Sequence, residues 1–114
     1  MSVNTTPVAP IPEPLSIHGT DPQSLTFRIG SEDHTLGNSL RHLLVKGMES
    51  SVSFAGYSVP HPSEHVLQLR VQMDKSQNTT AKEAVVEACD TLGKLCDHIK
   101  AEVEKSHSNN VKIE

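Results

Sequence analysis

The fold is decided by the segment Glu32-Asp33-His34-Thr35-Leu36-Gly37-Asn38-Ser39-Leu40-Arg41. It follows residues 24–29, a short run typical of a β-strand, and it opens a run whose apolar residues have the spacing of one face of an α-helix. Asp33 or Thr35 can cap the first unpaired backbone amides with a side-chain oxygen. The segment therefore predicts a strand that is followed directly by a helix.

Gly37 stands unusually early in this helix, where a glycine costs about 1 kcal/mol relative to an alanine. Two explanations fit its presence. The helix is an ordinary amphipathic one with a single unfavourable residue, or another backbone or side chain passes so close that a Cβ atom would obstruct it. The pattern of residues alone favours the first explanation.

The composition of the 114-residue chain limits its class. With 3% aromatic residues and no Trp, the core of a single domain has to consist of Leu, Val and Ile. The formal net charge is −4 and no cluster of Lys and Arg occurs, so direct nucleic-acid binding is not expected. No apolar run approaches the length of a membrane span and no signal-peptide core is visible, so we expect a soluble intracellular protein without membrane contact. Cys89 and Cys96 are too far apart on one helix for a disulfide and are predicted to be small buried residues.

The two ends of the chain differ from its middle. Residues 1–22 hold five prolines among small and polar residues, which predicts a flexible tail with polyproline character. Residues 107–114 are polar and predict a second, short tail. The domain itself is expected to span residues 23–106.

The middle of the chain predicts an antiparallel hairpin. Residues 51–59 are rich in β-forming side chains, and residues 65–73 alternate between apolar and polar ones. Pro60 and Pro62 interrupt the pairing between them, because neither can donate a sheet hydrogen bond. The second run is expected to direct four apolar side chains to the core, namely Leu67, Leu69, Val71 and Met73.

A long amphipathic helix is predicted after Thr80, which forms a capping box with Glu83. About 28 residues would span roughly 42 Å, whereas a compact domain of about 90 residues is only some 30 Å across. The apolar stripe of this helix nevertheless continues to Ile99 and Val103, which predicts contact with another chain. The element order β-α-β-β-α predicts an α+β domain, with an antiparallel sheet and two helices on one of its faces.

No arrangement of residues predicts an enzyme. His61-Pro62-Ser63-Glu64-His65 matches the H-x-x-E-H pattern of one class of zinc peptidases, but the prolines keep the two histidines off a common helical face. Glu32-Asp33-His34 suggests acid–base chemistry, yet helix capping accounts for it more simply. We expect no metal, no cofactor and no catalytic residue.

Two motifs resemble the α-type subunits of multisubunit RNA polymerases. The segment from Asp33 to Arg41 is similar to the helix motif of these subunits. Phe54-Ala55-Gly56-Tyr57-Ser58-Val59-Pro60-His61-Pro62-Ser63-Glu64 resembles the second signature of their small eukaryotic and archaeal branch. Together with Leu69-Arg70-Val71-Gln72 and the long C-terminal helix, the resemblance covers about residues 24–105 and leaves out the proline-rich start.

The resemblance implies a non-catalytic assembly subunit with the fold of an α-type polymerase dimerisation domain. Members of this branch pair with a larger α-like subunit through their first and last helices, and the pair is a platform on which the second-largest subunit and the rest of the polymerase core assemble. It also implies a location in the nucleus, in both nucleolus and nucleoplasm. Gly37 then gains a reason, the close approach of a partner, and His61, Pro62 and Glu64 would shape a surface loop. The residues implied to contact the partner are Leu36, Gly37, Asn38, Leu40, Arg41, Leu44, Leu92, Leu95, Ile99 and Val103.

The motifs leave the choice of polymerase open. Ser39, Pro62-Ser63-Glu64 and Leu95-Cys96-Asp97 resemble the subunit that polymerases I and III share. Phe54-Ala55-Gly56-Tyr57, Val59-Pro60 and Glu64-His65 resemble its polymerase II counterpart. We favour the shared subunit. The competing class is an unrelated homodimeric regulatory module, which would co-purify only with copies of itself.

Overall fold

The structure is a computed structural model that describes residues 14–46 and 52–108. Its elements are β1 (Leu15–Asp21), β2 (Ser24–Gly30), α1 (His34–Lys46), β3 (Val52–Ser58), β4 (Val66–Met73) and α2 (Ala81–Ser108). The four strands form one antiparallel sheet in the order β1-β2-β4-β3, and α1 and α2 pack against each other and against the sheet. The predicted α+β architecture is therefore confirmed.

The two central strands carry most of the core. In β4, Leu67, Leu69 and Val71 have no exposed surface and Met73 is 3% exposed, as their alternation predicts. Phe27 of β2 lies opposite Leu69 and is also buried. β3 pairs with β4 as the predicted antiparallel hairpin.

β1 corrects the prediction of a flexible tail over residues 1–22. Leu15–Asp21 is a strand whose residues pair with β2, from Leu15 opposite Ile29 to Asp21 opposite Ser24. The strand was not predicted because the prolines before and after it favour a tail and its apolar–polar alternation is limited to Leu15 and Ile17, which are 50% and 39% exposed in the structure. The domain therefore begins before residue 23. Residues 1–13 lie outside the described part of the chain, so the tail prediction is not tested there.

The start of α1 is capped by Asp33, one of the two predicted candidates. The Asp33 carboxylate accepts a hydrogen bond from the Thr35 amide at 3.1 Å, and the Asp33 carbonyl accepts one from the Gly37 amide at 3.0 Å.

The reason for Gly37 lies within the chain. A Cβ atom at this position would lie 2.6 Å from Cδ2 of Tyr57 and 2.7 Å from Cδ1 of Leu67, both closer than van der Waals contact allows. The expectation that a partner makes this close approach is therefore wrong. The glycine lets α1 pack tightly onto β3 and β4 of its own sheet.

α2 begins with Thr80 as the predicted N-cap, but the Glu83 carboxylate bonds the Thr80 hydroxyl rather than the Thr80 backbone amide of a full capping box. The Thr80 hydroxyl accepts a hydrogen bond from the Glu83 amide and donates one to the Glu83 carboxylate, each at 3.2 Å. Ala81, Ala84 and Ala88 are fully buried, and their small side chains let the first two turns lie close to α1 and the sheet.

The second half of α2 leaves the core. Every described side chain from residue 93 to residue 107 is exposed, and the helix continues to Ser108, two residues past the predicted domain end at 106. Cys89 and Cys96 are both exposed, so the prediction that they are buried is wrong for the chain by itself. Both lie on the flank of the apolar stripe, Cys89 beside the buried Ala88 and Cys96 in the part of the helix that has left the core. Residues 109–114 of the predicted polar tail lie outside the described part.

Candidate partner-binding surface

The candidate site is an apolar surface on α2, here called the α2 stripe and formed by Leu92, Leu95, Ile99 and Val103. These four residues recur at intervals of three or four and so share one helical face. Leu92 is half-buried and packs against the core, whereas Leu95, Ile99 and Val103 are 45%, 52% and 62% exposed. The exposed fraction thus rises steadily along the stripe as the helix leaves the sheet. A contiguous exposed apolar surface of this kind is typical of a protein–protein contact.

A groove between α1 and α2 joins the α2 stripe at its inner end. Leu92 and Leu95 form its wall on α2, and the wall on α1 is formed by Asn38, Ser39, Arg41, His42 and Leu43. A guanidinium N–H of Arg41 donates to the Asn38 side-chain oxygen at 3.2 Å, which holds both polar side chains along the α1 rim. The groove therefore combines apolar leucine side chains with polar side chains of α1, as the apolar centres and polar rims of protein interfaces do.

The structure divides the ten residues predicted to contact a partner into three groups. Asn38, Leu95, Ile99 and Val103 are exposed, and Leu36, Arg41 and Leu92 are partly exposed. Gly37, Leu40 and Leu44 are buried, the two leucines with 1% of their surface exposed. In the chain by itself these three offer almost no surface to a partner, because its own core covers them, and their contact with a partner stays a prediction. Their role is to hold α1 in place on the sheet.

The groove also contains residues that the sequence did not single out as contacts. Leu43 lies on the edge of the apolar face of α1, and its position in that pattern could have identified it. Ser39 and His42 are polar, and no periodicity distinguishes them from solvent-exposed residues. The Ser39 hydroxyl donates to the Thr35 carbonyl at 2.9 Å, within the helix.

The H-x-x-E-H motif does not form a metal site of the peptidase kind. Residues 61–65 form a turn, in which the Glu64 amide donates to the His61 carbonyl at 3.2 Å, and both histidines are exposed. The Glu64 carboxylate lies 3.9 Å from the Arg28 guanidinium. Within residues 14–46 and 52–108, no group of three or more His, Cys, Asp or Glu side chains could hold a metal ion.

His34 takes part in packing around the start of α1. Its Nδ1 atom lies 3.2 Å from the Tyr57 hydroxyl, and the two rings meet edge to face with centroids 5.6 Å apart. With Asp33 acting as the helix cap, the capping explanation for Glu32-Asp33-His34 accounts for the geometry.

Cys89, on the flank of the stripe, has the character of an apolar side chain. The packing on one side of it raises the pKa of the thiol, and the neighbouring Asp90 carboxylate raises that pKa further. A thiol with a raised pKa stays protonated and is a weak nucleophile. The surface around it is therefore suited to packing rather than to reaction.

None of the helices in the described part of the chain combines the length and apolar character that crossing a membrane requires. Charged residues occupy most of the surface of α2 outside the α2 stripe, so its exposed apolar surface is narrow.

The fold and this surface define a dimerisation module, with a helix-covered sheet that presents the free half of a long helix. Comparison with protein families agrees: residues 24–102 match the family described as the RNA polymerase Rpb3/Rpb11 dimerisation domain. The match covers well over half of the chain. The chain belongs to this family.

Curated relatives carry related names. The chain is 48% identical over 82 residues to the DNA-directed RNA polymerases I and III subunit RPAC2 of Schizosaccharomyces pombe, which covers 72% of this chain and 62% of that protein. It is 43% identical over 81 residues to the subunit of the same name in Saccharomyces cerevisiae, covering 71% and 54%. A probable RNA polymerase II subunit RPB11 of Caenorhabditis elegans is 47% identical over 75 residues, covering 65% and 58%. The chain thus matches between half and two thirds of the length of these relatives.

A solved structure has the same fold. The DNA-directed RNA polymerase subunit L of Thermoplasma acidophilum superimposes with a TM-score of 0.68, over 87% of this chain and 96% of that chain, at 22% sequence identity. The resemblance to small α-type polymerase subunits, inferred from two sequence motifs, is confirmed.

Proposed function

We propose that this chain is a non-catalytic assembly subunit of DNA-directed RNA polymerases I and III. It heterodimerises with the larger α-like subunit, and the pair forms the platform that nucleates the polymerase core, including the second-largest subunit, during transcription. Its place is the nucleus, in both nucleolus and nucleoplasm. The names of the yeast relatives support the assignment to polymerases I and III.

The observation that carries the proposal is the exposed apolar half of α2. Leu95, Ile99 and Val103 lie on one face of a helix that extends beyond its own core, and all three are 45–62% exposed. A partner helix laid along this face would bury them and would reach the groove against α1. Such a pairing removes apolar surface from water at about 25 cal/mol for each Å².

A second candidate is the corresponding small α-like subunit of RNA polymerase II. The observation that favours it is the 47% identity to the Caenorhabditis elegans relative with that name. Both candidates use the same surface in the same way, so the geometry of the site does not separate them.

Affinity purification of the tagged chain from its own cells tests the proposal. The large subunits of polymerases I and III should co-purify with it, in amounts comparable to the chain itself. Recovery of polymerase II subunits alone would favour the second candidate. Recovery of nothing but further copies of the chain would contradict both and favour a homodimeric module.

A further inference from the structure

The face of the sheet opposite the helices is a second surface, here called the outer sheet face. The strand register places on it Ser16, His18, Ser24, Thr26, Arg28, Phe54, Gly56, Ser58, Gln68, Arg70 and Gln72. Almost all of these side chains are polar, and neither helix covers them. One arginine and one exposed aromatic ring, Arg70 and Phe54, lie together on this face and distinguish it from an ordinary polar surface.

Arg70 lies near the middle of the outer sheet face and is held by neutral groups. One terminal guanidinium nitrogen donates to the Thr26 hydroxyl at 3.3 Å, and the other donates to the Ser24 hydroxyl at 3.0 Å. A guanidinium group has five N–H donors, so further donors remain for a ligand. In the described part of the chain no carboxylate lies within 4.0 Å of this group.

The carboxylates at the two ends of this face are already paired with other cations. Asp21, opposite Ser24 in the register, pairs with Lys75, and Glu64 pairs with Arg28 at 3.9 Å. Arg70 is therefore positioned by hydroxyls and, among residues 14–46 and 52–108, has no carboxylate partner, so its fork could take one from a ligand.

Phe54 adds an apolar contact beside Arg70. Its ring is 48% exposed and lies over Gly56, where a Cβ atom would come within 2.9 Å of the ring carbon Cζ. Gly56 is paired with Arg70 across the ladder. The ring and the guanidinium line one open depression, together with Thr26, Ser58 and Gln68.

We propose that this depression binds an acidic segment of another polymerase subunit, with a carboxylate on Arg70 and an apolar side chain on Phe54. An arginine fork matches a carboxylate in a bidentate geometry, and the exposed ring gives the apolar neighbour a surface to cover. RNA is a poorer fit, because it needs a run of cations, whereas this chain has a net charge of −4 and one arginine here without an acidic partner. The inference rests on the proposed function, in that the segment belongs to another subunit.

Photo-cross-linking in the assembled polymerase identifies the occupant. With p-benzoylphenylalanine introduced at Phe54, ultraviolet irradiation should attach a segment of another subunit that contains Asp or Glu next to an apolar residue. The same reagent at Val86, which is 61% exposed on α2, is the control for non-specific attachment. If the polymerase subunits co-purify normally but position 54 gives no more cross-linking than position 86, only this inference fails. If no polymerase subunits co-purify, the proposed function fails as well.

Binding of a defined probe tests the role of Arg70 directly. A fluorescein-labelled peptide of alternating Glu and Leu should bind the purified heterodimer, and Arg70→Ala should weaken it at least about tenfold, as expected for a charge-assisted hydrogen bond. Arg28→Ala is the matched control, since Arg28 lies on the same face but is paired with Glu64, and it should change the affinity less than about twofold. A single-stranded RNA that binds in an Arg70-dependent way in place of the peptide would overturn the proposal, and so would equal losses in the two variants.

Discussion

Replacing Leu95 and Ile99 by Asp tests whether a partner covers the α2 stripe. Full burial of a leucine or isoleucine side chain contributes roughly 1.5–3 kcal/mol. Because these residues are already about half covered, at 45% and 52% exposed, a partner that buries the rest would gain about 1.5–3 kcal/mol from the pair. An unpaired carboxylate in the contact adds a penalty of several kcal/mol for each ion. The double variant should therefore weaken pairing on the order of 10³-fold or more.

The assay is a co-expression pull-down of the larger α-like subunit with the tagged chain. Val86→Asp is the matched control: Val86 is 61% exposed on the same helix but lies outside the stripe. In the chain by itself each of these substitutions falls on the surface, where changes are usually within about 0.5 kcal/mol of neutral. Comparison with Val86→Asp therefore separates loss of the contact at the α2 stripe from a general effect of added charge on the helix.

Three outcomes are informative. We expect Leu95→Asp with Ile99→Asp to lose the partner and to leave the chain insoluble or bound to chaperones, while Val86→Asp recovers the partner normally. Recovery of the partner by the double variant at wild-type yield would refute the argument, because the stripe would then not be the contact. Loss of the partner in all variants would show that any added charge on α2 is harmful, and this too would refute the specific role of the stripe.

Three further predictions concern stability, each measured by thermal unfolding of the purified complex. Gly37→Ala should lower the free energy of unfolding by up to about 2 kcal/mol, because crowding against Tyr57 and Leu67 exceeds the gain in helix propensity. Gly93→Ala is the control and should be neutral or stabilising, because nothing lies within 4 Å of its new Cβ. Equal effects of the two substitutions would contradict the packing argument. Deleting residues 1–21 removes β1 and its pairing with β2, and should lower the thermal unfolding midpoint. Deleting residues 1–13, which the sequence predicts to be a tail, should leave that midpoint unchanged. Equal midpoints for the two deletions would show that β1 adds no stability. Hydrogen bonds from the Lys75 side chain and from the Gln23 backbone amide lower the pKa of Asp21, so the stability that its carboxylate contributes is present above about pH 4 and is lost as the pH falls through the lowered pKa. Asp21→Asn should therefore make the stability of the complex less dependent on pH in acid. An unchanged dependence would contradict this assignment.

The sequence was sufficient for those parts of the fold in which burial follows a strict period. β4 alternates apolar and polar residues, and its four predicted core residues are buried. The capping residues Asp33 and Thr80 accept hydrogen bonds from amides two and three residues further along the chain, so these bonds could be predicted from local sequence. β1 was missed although Leu15 and Ile17 alternate with Ser16 and His18, because two apolar residues make a short signal beside a proline-rich segment that predicts a tail.

The site was predicted less well, for a different physical reason. Periodicity identifies which side chains share a helical face but not what covers that face. Leu40 and Leu44 share the apolar face of α1 and were assigned to a partner, yet the sheet covers them. Cys89 and Cys96 were assigned to the core, yet both are exposed, Cys89 on the flank of the packed face and Cys96 where the helix has passed the core. Both errors come from this one ambiguity, which only the length and placement of the elements resolve.

The position at which burial ends on α2 connects these observations to function. Ala81, Ala84 and Ala88 are small because α1 and the sheet lie directly against them. Leu92 still packs against the core, and beyond it the large apolar residues Leu95, Ile99 and Val103 are 45–62% exposed. A helix that only had to complete its own domain could end near Leu92, and further apolar residues would add exposed surface without adding stability. Their continuation to Val103 on a single face supports the proposed pairing through the second half of α2, while its first half belongs to the core of the chain.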